Sequence, residues 1–391
     1  MEKSARVIRS GSHRSAIHTL PEDLLVGEIL VRLPAKDLLR CRAVCSSWRR
    51  LTSGADFLLA HHRRQPSLPL VSFRGQTNSG DRKKVADADV DAFDLWRSPA
   101  EHLHLLRFND YNYQRSYRVC ACCDGLLVVS LSRDRFFYIC NPTTRQWITM
   151  PNLTVGRGSI FGLYPRGSSG EYRILYRDRK EDNDSTLCHV LTMGSSMASR
   201  GIGSYQASGL QSVTEGPSVL LHGCLHWVHR EGGKVLVFDT DGESFRWMSA
   251  PTVDSNWAQS DLVQVDGTLG MSRINDSRIM MKIWMLQNRD EEVWLMKHQI
   301  KLPVGDMRSI VFTHDLYGMV LSENGDVLVF CPRSSHLFHC DCKGKLLQKF
   351  QWNGVFSCPT RHWFKESLVQ HAFFQKKSKG PMRTPRFFQG L

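Results

Sequence analysis

The sequence predicts an α+β chain of two parts, a small N-terminal module of three helices and a large all-β domain. The β domain is expected to be an irregular β-propeller of six or seven blades, with an open β-meander or sandwich as the other arrangement its pattern allows. Three observations carry this. Apolar residues recur at helical spacing between residue 20 and about residue 60. From about residue 66 the chain breaks into short apolar runs separated by Gly, Asn, Asp and Pro. Those runs carry a weak internal repeat.

The helical module begins in LPEDLLVGEILVRLPAKDLLRCRAVCSSWRRL, residues 20 to 51. Leu20-Pro21 followed by Glu22 and Asp23 is a helix start, with proline at the first position and carboxylates near the positive end of the dipole. Leu25, Ile29 and Leu33 recur every four residues, Leu24 and Leu30 widen the stripe, and Pro34 ends the helix because it removes a backbone donor. A second helix, Lys36 to Val44, carries Leu38, Leu39 and Val44. A third starts at Ser46 or Ser47 as N-cap and carries Trp48, Leu51, Phe57 and Leu58. Cys41 and Cys45 share a helical face and are expected in the core. Three helices in about forty residues cannot bury so many apolar side chains among themselves, so part of this surface is expected to meet a partner.

The β domain contains the runs Leu126-Leu127-Val128-Val129, Phe136-Phe137-Tyr138-Ile139, Val235-Leu236-Val237-Phe238, Met281-Lys282-Ile283-Trp284-Met285 and Val327-Leu328-Val329-Phe330. Turn glycines precede strands in Asp124-Gly125-Leu126, His222-Gly223-Cys224-Leu225, Asp266-Gly267-Thr268-Leu269 and Asn324-Gly325-Asp326-Val327. A second repeat follows polar turns. Trp147 and Trp247 each lie four residues before a proline, Pro151 and Pro251, after Asn141-Pro142-Thr143-Thr144 and Asp239-Thr240-Asp241-Gly242. Asn or Asp caps its own backbone in such turns. Radial repetition of small antiparallel sheets gives the propeller, and roughly 300 residues at about 45 per blade give six or seven.

Charge and chemistry exclude several classes. The net charge of +13 sits at the ends. Residues 1–64 hold 12 Lys and Arg against 6 Asp and Glu, and residues 361–391 hold 7 against 1. The domain between is nearly neutral, so it lacks the basic surface that nucleic acid requires. No run of eighteen apolar residues predicts a membrane span, and the polar N-terminus lacks the apolar core of a secretion signal. The protein is therefore expected in the cytosol or nucleus, with its twelve cysteines as free thiols. Lys376-Lys377-Ser378-Lys379 reads as a solvated end, with a nuclear localisation patch as the other reading. Cys120, Cys122, Cys123, Cys340 and Cys342 lack the C-x2-C spacing of common zinc sites. His61-His62 and His102-x-His104 lack a third ligand, and Gly201-Ile202-Gly203 is followed by no helix pattern. No catalytic, cofactor or metal site is expected.

The helical stretch resembles the F-box, the motif that docks onto a Skp-type adaptor and through it onto a cullin ubiquitin ligase. The resemblance rests on Leu20-Pro21, Glu28-Ile29-Leu30, Arg32-Leu33-Pro34, Leu38-Leu39-Arg40, Val44-Cys45 and Trp48-Arg49. The gap between Pro21 and Glu28 is a residue longer than usual in that family, and Ser46 stands where Lys or Arg is common. Carried over position by position, the resemblance implies adaptor contacts at Leu20, Pro21, Leu25, Ile29, Leu30, Leu33, Pro34, Leu38, Val44, Cys45 and Trp48. The strings CCDGLLVV, YICNPTTRQWITMP, GLYPRGSSGEYRILY, LLHGCLHWV, FDTDGESFRWMSAP and Lys282-Ile283-Trp284-Met285-Leu286 are similar to the F-box-associated domain of plant F-box proteins.

That likeness implies a non-enzymatic substrate receptor of a Skp-cullin-F-box ligase. An F-box protein acting outside a ligase, or a propeller enzyme or carbohydrate-binding module, are the other readings. The expected organisation is a disordered N-terminus over 1–17, F-box over 18–62, β domain over 66–372 and a disordered basic tail over 373–391. Substrate is expected on loop ends rich in aromatic and Arg residues: Arg157, Tyr164, Arg166, Arg177, Tyr205, Trp257 and Arg273.

Overall fold

The computed structural model describes residues 21–77, 84–95, 101–108, 117–131, 136–150, 159–167, 170–179, 186–194, 197–202, 216–229, 233–251, 260–275, 280–307, 316–322, 324–331, 336–352, 355–375 and 388. The chain divides into two compact units. One comprises Met1–Pro66 with Glu366–Val369, and the other Ser67–Lys365 with Gln370–Leu391. The expected boundary thus needs one correction, since a four-residue piece of the C-terminal region belongs to the helical unit.

In the helical unit the first apolar stripe is not a regular α-helix. A short α1 (Glu22–Leu24) passes into a π turn over Leu25–Ile29 and a 3₁₀ turn over Leu30–Arg32. A π turn is how a helix takes up an extra residue without changing its ends. It lies in the stretch where this sequence is one residue longer than the F-box pattern. Gly27 sits in that turn, exposed, with open space where a Cβ would go. Gly27→Ala is expected to stabilise the unit by about 0.5–1 kcal/mol by removing backbone freedom from the unfolded chain. Urea denaturation followed by circular dichroism measures this, and a loss of stability would contradict it.

Next come α2 (Ala35–Val44), α3 (Ser46–Leu51) and α4 (Ala55–Arg64), so the expected third helix is two. The break is made by Thr52. Its hydroxyl donates to the Trp48 carbonyl at 2.7 Å and accepts from Arg42 Nε at 2.8 Å, while Gly54 is extended. Leu30, Ala35, Leu38, Leu58 and Leu368 form the core of this unit, flanked by Leu25, Leu33, Cys41, Trp48, Phe57 and Val369.

The second unit is a six-bladed β-propeller, each blade an antiparallel sheet of four strands. The first blade is β24 (Val355–Phe364), β1 (Leu68–Thr77), β2 (Lys84–Asp94) and β3 (Glu101–Phe108). The second is β4 (Tyr117–Cys123), β5 (Leu126–Leu131), β6 (Phe136–Asn141) and β7 (Gln146–Thr149). The third is β8 (Ser159–Arg166), β9 (Glu171–Arg179), β10 (Thr186–Met193) and β11 (Ser199–Gly201). The fourth is β12 (Val219–Leu221), β13 (Cys224–Val228), β14 (Lys234–Asp239) and β15 (Ser244–Ser249). The fifth is β16 (Ser260–Val265), β17 (Thr268–Ile274), β18 (Met280–Asn288) and β19 (Val293–Lys301). The sixth is β20 (Tyr317–Val320), β21 (Val327–Phe330), β22 (His336–Cys340) and β23 (Leu346–Gln351).

Strands β4, β8, β12, β16, β20 and β24 end their sheets on one side, and β24 meets β4, β4 meets β8, β12 meets β16 and β16 meets β20. Because β24 pairs with β1, the C-terminal strand completes the blade that the N-terminal strands begin. Six apolar clusters lie between successive blades, the last joining blade six to blade one. A closed ring follows, which rules out the open meander and the sandwich.

The same packing explains the unbroken apolar runs. Successive side chains of a strand point to opposite faces, and in β5, β14 and β21 both faces meet a neighbouring blade. Leu126 and Val128 pack toward blade three, whereas Leu127 and Val129 pack toward blade one. In β14, Leu236 and Phe238 face blade three and Val235 and Val237 face blade five. Alternation, the expected signature of a half-buried strand, is therefore absent where burial is deepest.

Both sequence repeats fall at equivalent turns. Asp124-Gly125, His222-Gly223 and Asp266-Gly267 each join a blade's first strand to its second, with both residues at positive φ as a two-residue hairpin requires. The third-to-fourth connections are capped by Asn141, Asp239, Asn288 and Asp341, whose Oδ1 accepts backbone N–H groups two to four residues on. The sequence repeat covers the first two of these. Counted from the turn, Trp147 corresponds to Phe245, since they pair with Cys140 and Phe238 respectively, and Trp247 stands one pair further along the same face. Past the last strand, Phe373 packs between blades two and three and Phe388 between blades one and two, so these two residues belong to the β unit rather than to a tail.

Candidate functional site

The helical unit leaves apolar side chains uncovered that its own core has no room for. Val44 is 81% exposed, Leu24 50%, Ile29 44%, and Leu39 and Leu59 42% each. Pro21 and Pro34 are also exposed, while Leu25, Leu33, Cys45 and Trp48 are half-buried. Two of the expected adaptor contacts need correction. Leu30 and Leu38 are buried at 2% and 0%, so their side chains hold the unit together and present nothing to a partner. Leu20 lies outside the described residues. Leu24, Leu39 and Leu59 are exposed leucines that were not among the expected adaptor contacts. In Leu38-Leu39 adjacency is the signal, because neighbours on a helix are about 100° apart and one must point outward.

Polar contacts brace this surface from beneath. Pro34 ends the first helical stretch and stands at the N-cap of α2, yet it offers no side-chain acceptor. Glu366 supplies one, its Oε2 accepting from Ala35 N at 3.2 Å and its carbonyl accepting from His62 Nδ1 at 2.8 Å. A carboxylate there satisfies an orphan donor and meets the positive end of the α2 dipole. Burial raises the Glu366 carboxyl above its ordinary range, opposed by that backbone bond. At the other side of Pro34 the Leu33 carbonyl accepts from His61 Nε2 at 2.8 Å and Gln65 Nε2 at 3.1 Å. Burial lowers the His61 pKa, so the ring is neutral.

The described residues among those expected to hold substrate do not come together. Arg157, Tyr205 and Trp257 lie outside the described residues. Tyr164 is fully buried on β8 against Phe238, with ring centroids 5.9 Å apart, and Arg273 is 6% exposed on β17. Neither is a loop-end anchor. Arg166 is exposed beside the turn between β8 and β9, whereas Arg177 pairs with Ser159 at the far end of that hairpin and lies 5.2 Å from the Phe161 ring. Arg273 pairs with Ser260 at the corresponding end of its own blade, so Arg166 lies at one end of the β unit and Arg177 and Arg273 at the other.

Burial raises several of the cysteine thiols. Cys122, Cys123 and Cys140 are raised well above the usual thiol range by desolvation, and Cys340 is pushed up to about 12. Cys120, Cys122 and Cys123 lie in blade two and Cys340 in blade six, so the two groups are apart. Among the described residues no three His, Cys, Asp or Glu side chains gather as a metal site.

Two buried histidines of the β unit carry a pH dependence. Burial lowers His226 and His362 to about 4, below the ordinary 6.5. A histidine whose folded pKa is depressed contributes full stability above the unfolded pKa and loses it as pH falls, because the unfolded chain then takes up the proton first. Between pH 6.5 and 4 each should cost about 1.4 kcal/mol per pH unit. Thermal melts from pH 7.5 to 5 should show a falling midpoint, with a shallower fall in His226→Gln. A midpoint flat across that range would contradict the assignment.

Residues 17–63 match the F-box-like family model, and residues 96–376 match the model of the F-box associated beta propeller domain. Relatives are Arabidopsis thaliana proteins. F-box protein At5g49610 is 24% identical over 305 residues, 72% of this chain and 79% of that protein. F-box protein At1g30790 is 23% identical over 373 residues, 88% of this chain and 92% of that one. F-box protein At1g52495 is 27% identical over 322 residues, 74% of this chain and 71% of that one.

Proposed function

We propose, from the premise that this chain belongs to the F-box proteins with an F-box-associated β-propeller domain, that it is the substrate-recognition subunit of a Skp-cullin-F-box ubiquitin ligase. The helical unit binds a Skp-type adaptor and, through it, a cullin. The propeller captures a protein substrate. The observation that carries this reading is the uncovered apolar set Leu24, Ile29, Leu39 and Val44 on a unit too small to need so many leucines for its own core.

The receptor acts by proximity and needs no catalytic side chain of its own. Holding a substrate lysine beside a charged conjugating enzyme turns a bimolecular encounter into one at high effective concentration. A rigid, closed ring of blades suits that role, because a fixed platform keeps the captured segment in one place. Such a complex resides in the cytosol or nucleus. The test is co-purification of adaptor and cullin with the full-length protein, with transfer of ubiquitin to captured substrate as the activity.

A further inference from the structure

Among the described residues of the β unit, large apolar side chains are exposed at Phe136, Val293, Leu295, Met296 and Leu347. Three of these five fall within four residues of β19, at 46%, 58% and 47% exposure, so the clustering is local to blade five. The outer strands of other blades differ. In β15 the exposed positions are Ser244, Arg246 and Ser249, in β11 they are Ser199, Arg200 and Gly201, and in β7 the exposed position is Thr149. At nine residues β19 is also longer than β7, β11, β15 and β23. It ends its sheet, and no described strand pairs with its far edge.

The second half of this strand is basic, whereas Asp290, Glu291 and Glu292 stand in the turn before its first residue. Lys297 and Lys301 project from β19, and Lys297 occupies a bulge where the register with β18 shifts between Ile283 and Trp284. Beyond Lys301 lies the turn between β22 and β23, where Gly344 approaches so closely that a Cβ would overlap the Lys301 carbonyl. That contact brings Lys343 and Lys345, both exposed, beside the end of β19. None of these four lysines is held in an ion pair with another described residue. An unpaired strand edge offers a row of backbone donors and acceptors, and an added strand satisfies them.

We propose that the outer edge of β19 binds, by strand addition, an extended segment of a partner protein in which acidic residues alternate with apolar ones. Its backbone pairs with β19, its apolar side chains cover Val293, Leu295 and Met296, and its carboxylates meet Lys297, Lys301, Lys343 and Lys345. That the segment belongs to a ligase substrate rests on the receptor reading above; the surface and its chemistry do not.

The test pans a phage-displayed random dodecapeptide library on the full-length protein and counter-screens on L295E/M296E. These two side chains are exposed, so the variant should melt at the parent temperature. Clones kept by the parent and depleted at least tenfold on the variant should carry alternating Asp or Glu and Val, Ile, Leu or Phe. Synthetic versions should bind more weakly as salt rises, and N-methylation at every second residue should abolish binding in one phase and spare it in the other, since only alternate N–H groups face the partner strand. If L295E/M296E melts early, K297E/K301E replaces it, and that charge reversal should select basic peptides instead. A parent that retains no such clones, equal retention by the variants, or a dimer seen by light scattering and lost in L295E/M296E would each overturn the proposal. Adaptor pull-down by the same variants should be unchanged; its failure in the parent would count against the receptor reading and leave the edge site standing.

Discussion

Replacing Leu39 and Val44 together by Asp is expected to weaken adaptor recruitment at least a hundredfold while the melting temperature of the protein stays where it was. Both side chains are exposed in the free unit, at 42% and 81%, so charging them costs the fold little. An apolar anchor at the centre of an interface is typically worth about 2 kcal/mol, and two of them correspond to roughly a hundredfold or more in affinity. Pull-down of a Skp-type adaptor with parallel thermal melts makes the measurement. Leu33→Ala with Pro34→Ala is a less clean probe, because the Leu33 side chain is half-buried and its carbonyl binds His61 and Gln65. That pair should lose recruitment and stability together.

The second large effect is far away in sequence. Leu368→Ala should destabilise the helical unit by about 2–5 kcal/mol, the cost of emptying a buried leucine site. Leu368 is 4% exposed among Leu30, Ala35, Leu38 and Leu58, over three hundred residues from any of them. Glu366→Ala should add a smaller loss of about 1 kcal/mol by uncapping α2. A protein cut after residue 365 should therefore recruit adaptor poorly with residues 21–64 intact. Chemical denaturation followed by the helical circular dichroism signal reports on this unit, and an unaltered midpoint in Leu368→Ala would show that the segment is dispensable.

That contact marks where sequence reading stops. Leu25, Ile29 and Leu33 announce a helix by spacing, and Asp124-Gly125 announces a hairpin by its backbone demands, because both signals are local. No such local signal exists at Glu366 to Val369, a short mixed stretch after the last strand whose partners are fixed only by tertiary packing. Strands of blades two, four, five and six were legible as apolar runs, although in β5, β14 and β21 two buried faces removed the alternation that tells strand from core helix. Closure of the ring was not legible, since nothing in β24 itself says that it pairs with β1. The substrate set fared worst for a related reason. Aromatic and Arg residues at strand ends serve packing as readily as binding, and Tyr164 and Arg273 went to the interior.

The adaptor face was legible in part. The motif marked Ile29, Pro34 and Val44, which the fold leaves exposed, but it also marked Leu30 and Leu38, which the fold buries. A position list does not separate residues that touch a partner from those that shape the surface beneath them. Burial does, and it moves Leu24, Leu39 and Leu59 into view.

The most direct measurement is affinity purification of the full-length protein from cells, with the L39D/V44D variant alongside, scored for a Skp-type adaptor and a cullin. The parent should recover both in stable amounts, and the variant neither, although it melts like the parent. Recovery of the two partners by the variant at the parent level, or their absence from the parent, would contradict the receptor account.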